Sequence, residues 1–187
     1  MYSTISLPLI LTLLRLFIAP TVLPLVLIFF LPHADYLHKL YISGFIGLCS
    51  LTDFFDGYLA RKWGQQTLLG TLLDPIADKF FVCSLSLTLL YLGYIPLVWV
   101  LIVINRELAV MGMREIACVY RFRVPVSFYG KIKTTLQMLY IIGVVIGSPD
   151  HSGIINLLMV SSAAITFYSG LLYGISFLRQ FLVAKNN

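Results

Sequence analysis

The sequence predicts an all-α integral membrane protein, a single domain over residues 1–187 built from about six transmembrane helices. Three observations predict it. Apolar residues make up 59% of the chain and charged residues only 11%, far from the balance of a soluble domain. Mean hydropathy is +0.94, more than a soluble core of this size needs. The apolar residues also fall into long runs separated by short turns that hold most of the charge, the pattern of repeated membrane crossing.

The first span is expected over residues 7–31, with Pro20 and Pro24 tolerated at the expense of a kink. It begins without the basic region of a signal peptide and its apolar run is too long for one, so it reads as retained. Arg15 lies inside it, either snorkelling to the interface or facing a polar cavity. His33, Asp35, His38 and Lys39 read as a solvated loop rather than a metal site. A second span over residues 40–60 carries Gly44 and Gly47, which permit close helix approach, and leaves the bilayer at Arg61 and Lys62.

The third span is expected over residues 70–91. Pro75 then falls within about the first turn, where its missing amide costs little. After an uncharged turn, the fourth span runs to residue 118 and carries Asn105, Arg106, Glu107, Arg114 and Glu115. Arg106 and Arg114, eight residues apart, share nearly one face. Each could pair with its neighbouring Glu, but Arg106 is deeper and needs a polar partner. Arg121 and Arg123 read as loop charge, whereas Lys131 and Lys133 open the fifth span. Cations there oppose the helix dipole unless an anion is bound nearby, which favours a phosphate ligand. The fifth span runs to residue 146 and the sixth covers residues 154–182.

Arg61, Lys62, Arg121, Arg123, Lys131, Lys133, Arg179 and Lys185 all fall on one side of this layout. By the positive-inside rule both termini and that side face the cytoplasm. No transit peptide is visible, which points to a bacterial cytoplasmic membrane. The net charge of +5 and a pI near 9.2 therefore reflect topology and anionic-ligand contacts, and no nucleic-acid motif accompanies them. Cys49, Cys83 and Cys118 are scattered among apolar residues without metal-type spacing and read as small packing residues.

One stretch carries the chemistry. Asp53, Asp56, Gly57, Ala60 and Arg61 share one helical stripe, and Gly70, Asp74 and Asp78, four apart, share another. If the two helices meet along those stripes, four carboxylates converge on a wall of glycine and alanine. At membrane depth such groups must protonate, pair or bind a cation. Oxygen donors at this density point to Mg2+ or Mn2+, with two ions expected. The small residues admit a ligand close to the backbone, and Arg61 suits a phosphate-rich one.

These residues follow the pattern D-x2-D-G-x2-A-R-x8-G-x3-D-x3-D, eight fixed positions within twenty-six. In this the chain resembles the CDP-alcohol phosphatidyltransferases. The resemblance implies a helical bundle of that family's type, a homodimer, and displacement of CMP from a CDP-linked lipid by an alcohol. It assigns the metal to Asp53, Asp56, Asp74 and Asp78, the general base to Asp78, and the CDP-diacylglycerol contacts to Thr52, Asp56, Gly57, Ala60, Arg61 and Gly70. Residues 11–15 followed by Pro20 are also similar to the family's first helix. The family often has Asn after the preceding proline, where this chain has Leu9.

A phosphorylated acceptor needs cations, which Arg106, Arg114, Lys131 and Lys133 supply. Their contexts resemble the branch of the family that takes glycerol 3-phosphate and forms phosphatidylglycerol phosphate. Branches that make phosphatidylinositol phosphate or cardiolipin remain open. So does another class, a divalent-cation or proton transporter, although that reading leaves Gly57, Ala60, Arg61 and Gly70 unexplained.

Overall fold

A computed structural model describes residues 7–62, 68–122, 124, 128–147 and 153–185. These form six α-helices, and no strand occurs among the described residues. They are α1 (Leu7–Phe30), α2 (Tyr36–Lys62), α3 (Leu68–Tyr91), α4 (Leu97–Val119), α5 (Phe128–Ile146) and α6 (Gly153–Lys185), with a 3₁₀ turn at Leu31–His33. The chain divides into two compact units, one of residues 1–94 and 141–148, the other of residues 95–140 and 149–187.

In the first unit α1 packs along α3. Leu23, Leu27 and Leu31, each four apart, are buried, as are Ala77, Phe81, Leu85 and Leu89 on α3. This is the stripe that a period of 3.6 residues produces. Pro20 and Pro24 both lie within α1, which continues through them. Thr21 donates its hydroxyl hydrogen to the Phe17 carbonyl at 2.7 Å, beside the gap in the hydrogen-bond ladder that Pro20 leaves. On α2, Ile46 is fully buried, and Gly47 lets the helix approach Ile142 near the end of α5.

In the second unit α4 packs on α6. Trp99, Val100, Val103, Glu107, Val110 and Ala117 form the buried face of α4. Opposite them α6 buries Ser162, Thr166, Ser169, Tyr173 and Phe177. The small hydroxyl residues allow close approach and serve as partners across the interface. Trp99 Nε1 donates to Ser162 Oγ at 2.9 Å, and Gln137 Nε2 on α5 donates to Thr166 Oγ1 at 2.9 Å.

The outward faces of α6 carry large apolar side chains instead, among them Ile154, Leu157, Phe167, Leu171, Leu178 and Leu182. Small polar groups inside and large apolar groups outside is the arrangement expected when the surrounding solvent is itself apolar. Among the described residues the stretch Gly153–Ala184 is long and apolar enough to cross a membrane, while Pro20–His33 and Lys79–Tyr91 are shorter apolar helices.

Two helices end with the same device. After α3, Tyr94 N–H donates to the Leu89 carbonyl and Gly93 N–H to the Leu90 carbonyl, with Gly93 at φ 77°. After α4, Phe122 N–H donates to the Ala117 carbonyl and Arg121 N–H to the Cys118 carbonyl. Both are Schellman stops, but the second puts Arg121, rather than glycine, at φ 56°.

Several boundaries differ from the sequence reading. His38 and Lys39 lie in the first turn of α2 and His33 in the 3₁₀ turn, so the expected loop shrinks to Ala34 and Asp35. Hydropathy marks where lipid contact ends, whereas a helix continues while its backbone can still hydrogen-bond. For the same reason α3 begins at Leu68, and Pro75 is the eighth residue of the helix rather than part of its first turn. The Thr71 carbonyl consequently has no amide donor at position 75. None of the three cysteines forms a disulfide among the described residues, and Cys118 is exposed rather than packed.

Candidate active site

The acidic signature falls where one helix ends and the next begins. Thr52, Asp53, Asp56, Gly57, Ala60 and Arg61 lie in the last turns of α2, and Gly70, Asp74 and Asp78 in the first turns of α3. Asp56 and Asp74 are each six residues from the facing helix end, about 9 Å at 1.5 Å per residue. Asp53 and Asp78 are each about 14–15 Å from it by the same measure. The connection over residues 63–67 is too short to part those ends by more than about 20 Å. The side chains of residues 51–75, of Asp78 and of Arg15 lie outside the described residues, as does residue 123. Among the described residues no group of three or more His, Cys, Asp or Glu comes together.

The donor set of the signature fits a divalent cation. Four carboxylates offer the hard oxygens that Mg2+ and Mn2+ take.

The cationic cluster belongs to the second unit, where side chains are described in detail. Glu107 faces inward from α4 at 6% exposure, between hydrophobic neighbours Val103 and Val110 on the same stripe. Burying a carboxylate there is costly unless cations pair with it. Lys133, itself 5% exposed, reaches from α5 and donates from Nζ to Glu107 Oε1. Arg106 Nη1 donates to the same oxygen at 3.2 Å and lies 3.4 Å from Oε2.

Arg106 reaches this position because α6 leaves room for it. A Cβ on Gly170 would stand 3.1 Å from Arg106 Cγ, so the arginine stem crosses α6 at its glycine. Arg114, two turns along α4, repels the guanidinium. Arg106 Nε is buried with no hydrogen-bond partner among the described residues. Arg114 and Lys131 are exposed. Of the four cations expected from sequence, the structure therefore joins Arg106 and Lys133 through Glu107 and leaves Arg114 and Lys131 at the periphery.

The dipole argument for Lys131 and Lys133 changes with this geometry. Helix α5 begins at Phe128, so Lys133 is its sixth residue, beyond the first turn where the dipole acts, and Glu107 compensates it. Its burial is explained without an anion. Glu107 was visible in sequence only as a neighbour for Arg106. Its place on the apolar stripe of α4 is the signal that a cation must come to it from another helix.

Helices with apolar outer faces, a dense carboxylate signature and a buried cation pair define a helical protein suited to an apolar surround and to anionic, phosphate-bearing ligands. The chain belongs to the CDP-alcohol phosphatidyltransferase family, whose family model matches residues 5–168. Three relatives carry the name CDP-diacylglycerol--glycerol-3-phosphate 3-phosphatidyltransferase. The Rickettsia typhi protein is 39% identical over 136 residues, covering 73% of this chain and 75% of its own length. The Cereibacter sphaeroides protein is 42% identical over 139 residues, 73% of this chain and 61% of its own length. The Haemophilus influenzae protein is 33% identical over 175 residues, 90% of this chain and 91% of its own length.

Proposed function

We propose that this protein transfers the phosphatidyl group of CDP-diacylglycerol to glycerol 3-phosphate, giving phosphatidylglycerol phosphate and CMP. The observation that carries the reading is the similarity, over up to 90% of the chain, to relatives named for that activity. Two features of this chain support it: the complete eight-residue signature on α2 and α3, and the inward-facing cations on α4 and α5.

In this reading Asp53, Asp56, Asp74 and Asp78 hold one or two Mg2+ or Mn2+ ions. When bound, the metal neutralises the pyrophosphate and eases departure of CMP. Thr52, Asp56, Gly57, Ala60, Arg61 and Gly70 hold the CDP moiety, while the acyl chains stay among membrane lipids. Asp78 accepts the proton from the free hydroxyl of glycerol 3-phosphate. The hydroxyl oxygen forms its bond to the phosphorus bearing diacylglycerol, and the bond from that phosphorus to CMP breaks.

Arg106 and Lys133 receive the acceptor phosphate, with Arg114 and Lys131 adding positive potential at the rim. Arg106 Nε, without a hydrogen-bond partner among the described residues, gives the guanidinium a donor to spare for that phosphate. The reading further places the chain in the bacterial cytoplasmic membrane with six crossings, working as a homodimer, both termini and the site on the cytoplasmic side. Incubating the purified protein in detergent micelles with CDP-diacylglycerol, glycerol 3-phosphate and Mg2+ tests the proposal. CMP release that requires both substrates is expected, and no CMP with either metal rejects it.

A further inference from the structure

We propose that Glu107 is a positioning residue for the acceptor: its carboxylate bridges Arg106 and Lys133 and holds the two cations ready for a phosphate. The proposal rests on the reading above, in which those cations receive the phosphate of the acceptor.

The geometry carries it in three steps. A single oxygen, Oε1, accepts from both Arg106 Nη1 and Lys133 Nζ, so one atom fixes the separation of two like charges from different helices. Side chains adjacent in sequence diverge on a helix, and Arg106 and Glu107 would not ordinarily meet. They meet because the arginine stem crosses α6 at Gly170, so three helices cooperate in the arrangement.

Glu107 also leaves part of Arg106 unsatisfied. Arg106 Nε has no partner among the described residues, and Arg114 repels the guanidinium. A bridge that satisfied every donor would be a closed structural ion pair. This one keeps a guanidinium donor in reserve among the described residues, as a site for an anionic group requires. Without the carboxylate, Arg106 and Lys133 repel, and the lysine loses a buried partner. The phosphate would then have to gather the two cations itself, which lowers its affinity.

The test is steady-state kinetics of the full-length protein in detergent micelles, varying glycerol 3-phosphate and CDP-diacylglycerol separately. E107Q is expected to raise the acceptor KM about tenfold while kcat and the lipid KM stay within about threefold. E107D, which keeps the charge but shortens the reach, should fall between E107Q and wild type. K133A should also raise the acceptor KM, and E107Q/K133A should be little worse than K133A alone, because the two act as one unit.

A wild-type acceptor KM in E107Q, or equal shifts in both KM values, overturns the proposal when K133A does raise the acceptor KM. If K133A leaves the acceptor KM unchanged, the acceptor reading itself fails and takes the proposal with it. Should E107Q show no cooperative thermal transition, E107D decides by the same criterion: an unchanged acceptor KM overturns the role.

Discussion

The two charged regions of this protein face the same physical problem with opposite sign. At the α2–α3 corner four carboxylates crowd into twenty-six residues with Arg61, Lys62 and Lys79 beside them. In the second unit Arg106 and Lys133 converge on one carboxylate, Glu107, with Arg114 near enough to repel Arg106. The basic region carries its counter-ion within its own sequence. The acidic region sets four carboxylates against three neighbouring cations, and on our reading it takes further counter-charge from bound metal. A site that must lose and regain its compensation with substrate is built around an exchangeable ion, whereas one that must stay poised is built around a fixed one.

The sharpest way to break the comparison is at the acidic corner. Asp78→Asn should lower turnover by about 10²–10⁴-fold, the range for loss of a general base, while CDP-lipid binding persists. Turnover like wild type would reject the base assignment. Metal removal addresses the same corner without mutation. Dialysis against EDTA should abolish CMP release, and added Mg2+ or Mn2+ should restore it. Full activity after chelation would leave the carboxylates in need of another role.

Smaller effects sharpen the basic side. Lys131→Ala should raise the acceptor KM only a few-fold, less than Lys133→Ala, because Lys131 is exposed and Lys133 is buried against Glu107. Equal effects would mean that the buried bridge gives Lys133 no special standing. Gly170→Ala should displace the Arg106 stem, since the added carbon would stand 3.1 Å from Cγ, and should likewise raise the acceptor KM a few-fold with the lipid KM unchanged. The smallest effect lies away from both sites. Arg121→Gly should stabilise the fold by about 1 kcal/mol by relieving a left-handed backbone, read as a higher thermal midpoint in detergent.

The helices were legible because each is an apolar run between charged or proline-containing turns: six α-helices occur among the described residues, one of them long and apolar enough to cross a membrane. Their ends were less legible. His38, Lys39 and Leu68 are helical although hydropathy places them in loops, because backbone hydrogen bonding outlasts the apolar run. The acidic signature can be read from sequence because its spacing is local, three or four residues within a helix and one short connection between two, while its side chains lie outside the described residues. The bridge from Glu107 to Lys133 spans twenty-six residues and two helices, with Gly170 of a third making room. No spacing rule within one helix predicts such a meeting. What the sequence does show is a carboxylate on an apolar stripe, which says that a cation must arrive without saying which.

The central claim is that the acidic corner and the bridged cations serve one reaction with a phosphorylated acceptor. The most direct measurement is CMP release in detergent micelles with CDP-diacylglycerol and Mg2+, across glycerol 3-phosphate, glycerol, serine and inositol phosphate. The account predicts release with glycerol 3-phosphate at least about a hundredfold faster than with glycerol, the difference that charge-assisted contacts to a phosphate supply. Equal rates with glycerol and glycerol 3-phosphate would contradict it.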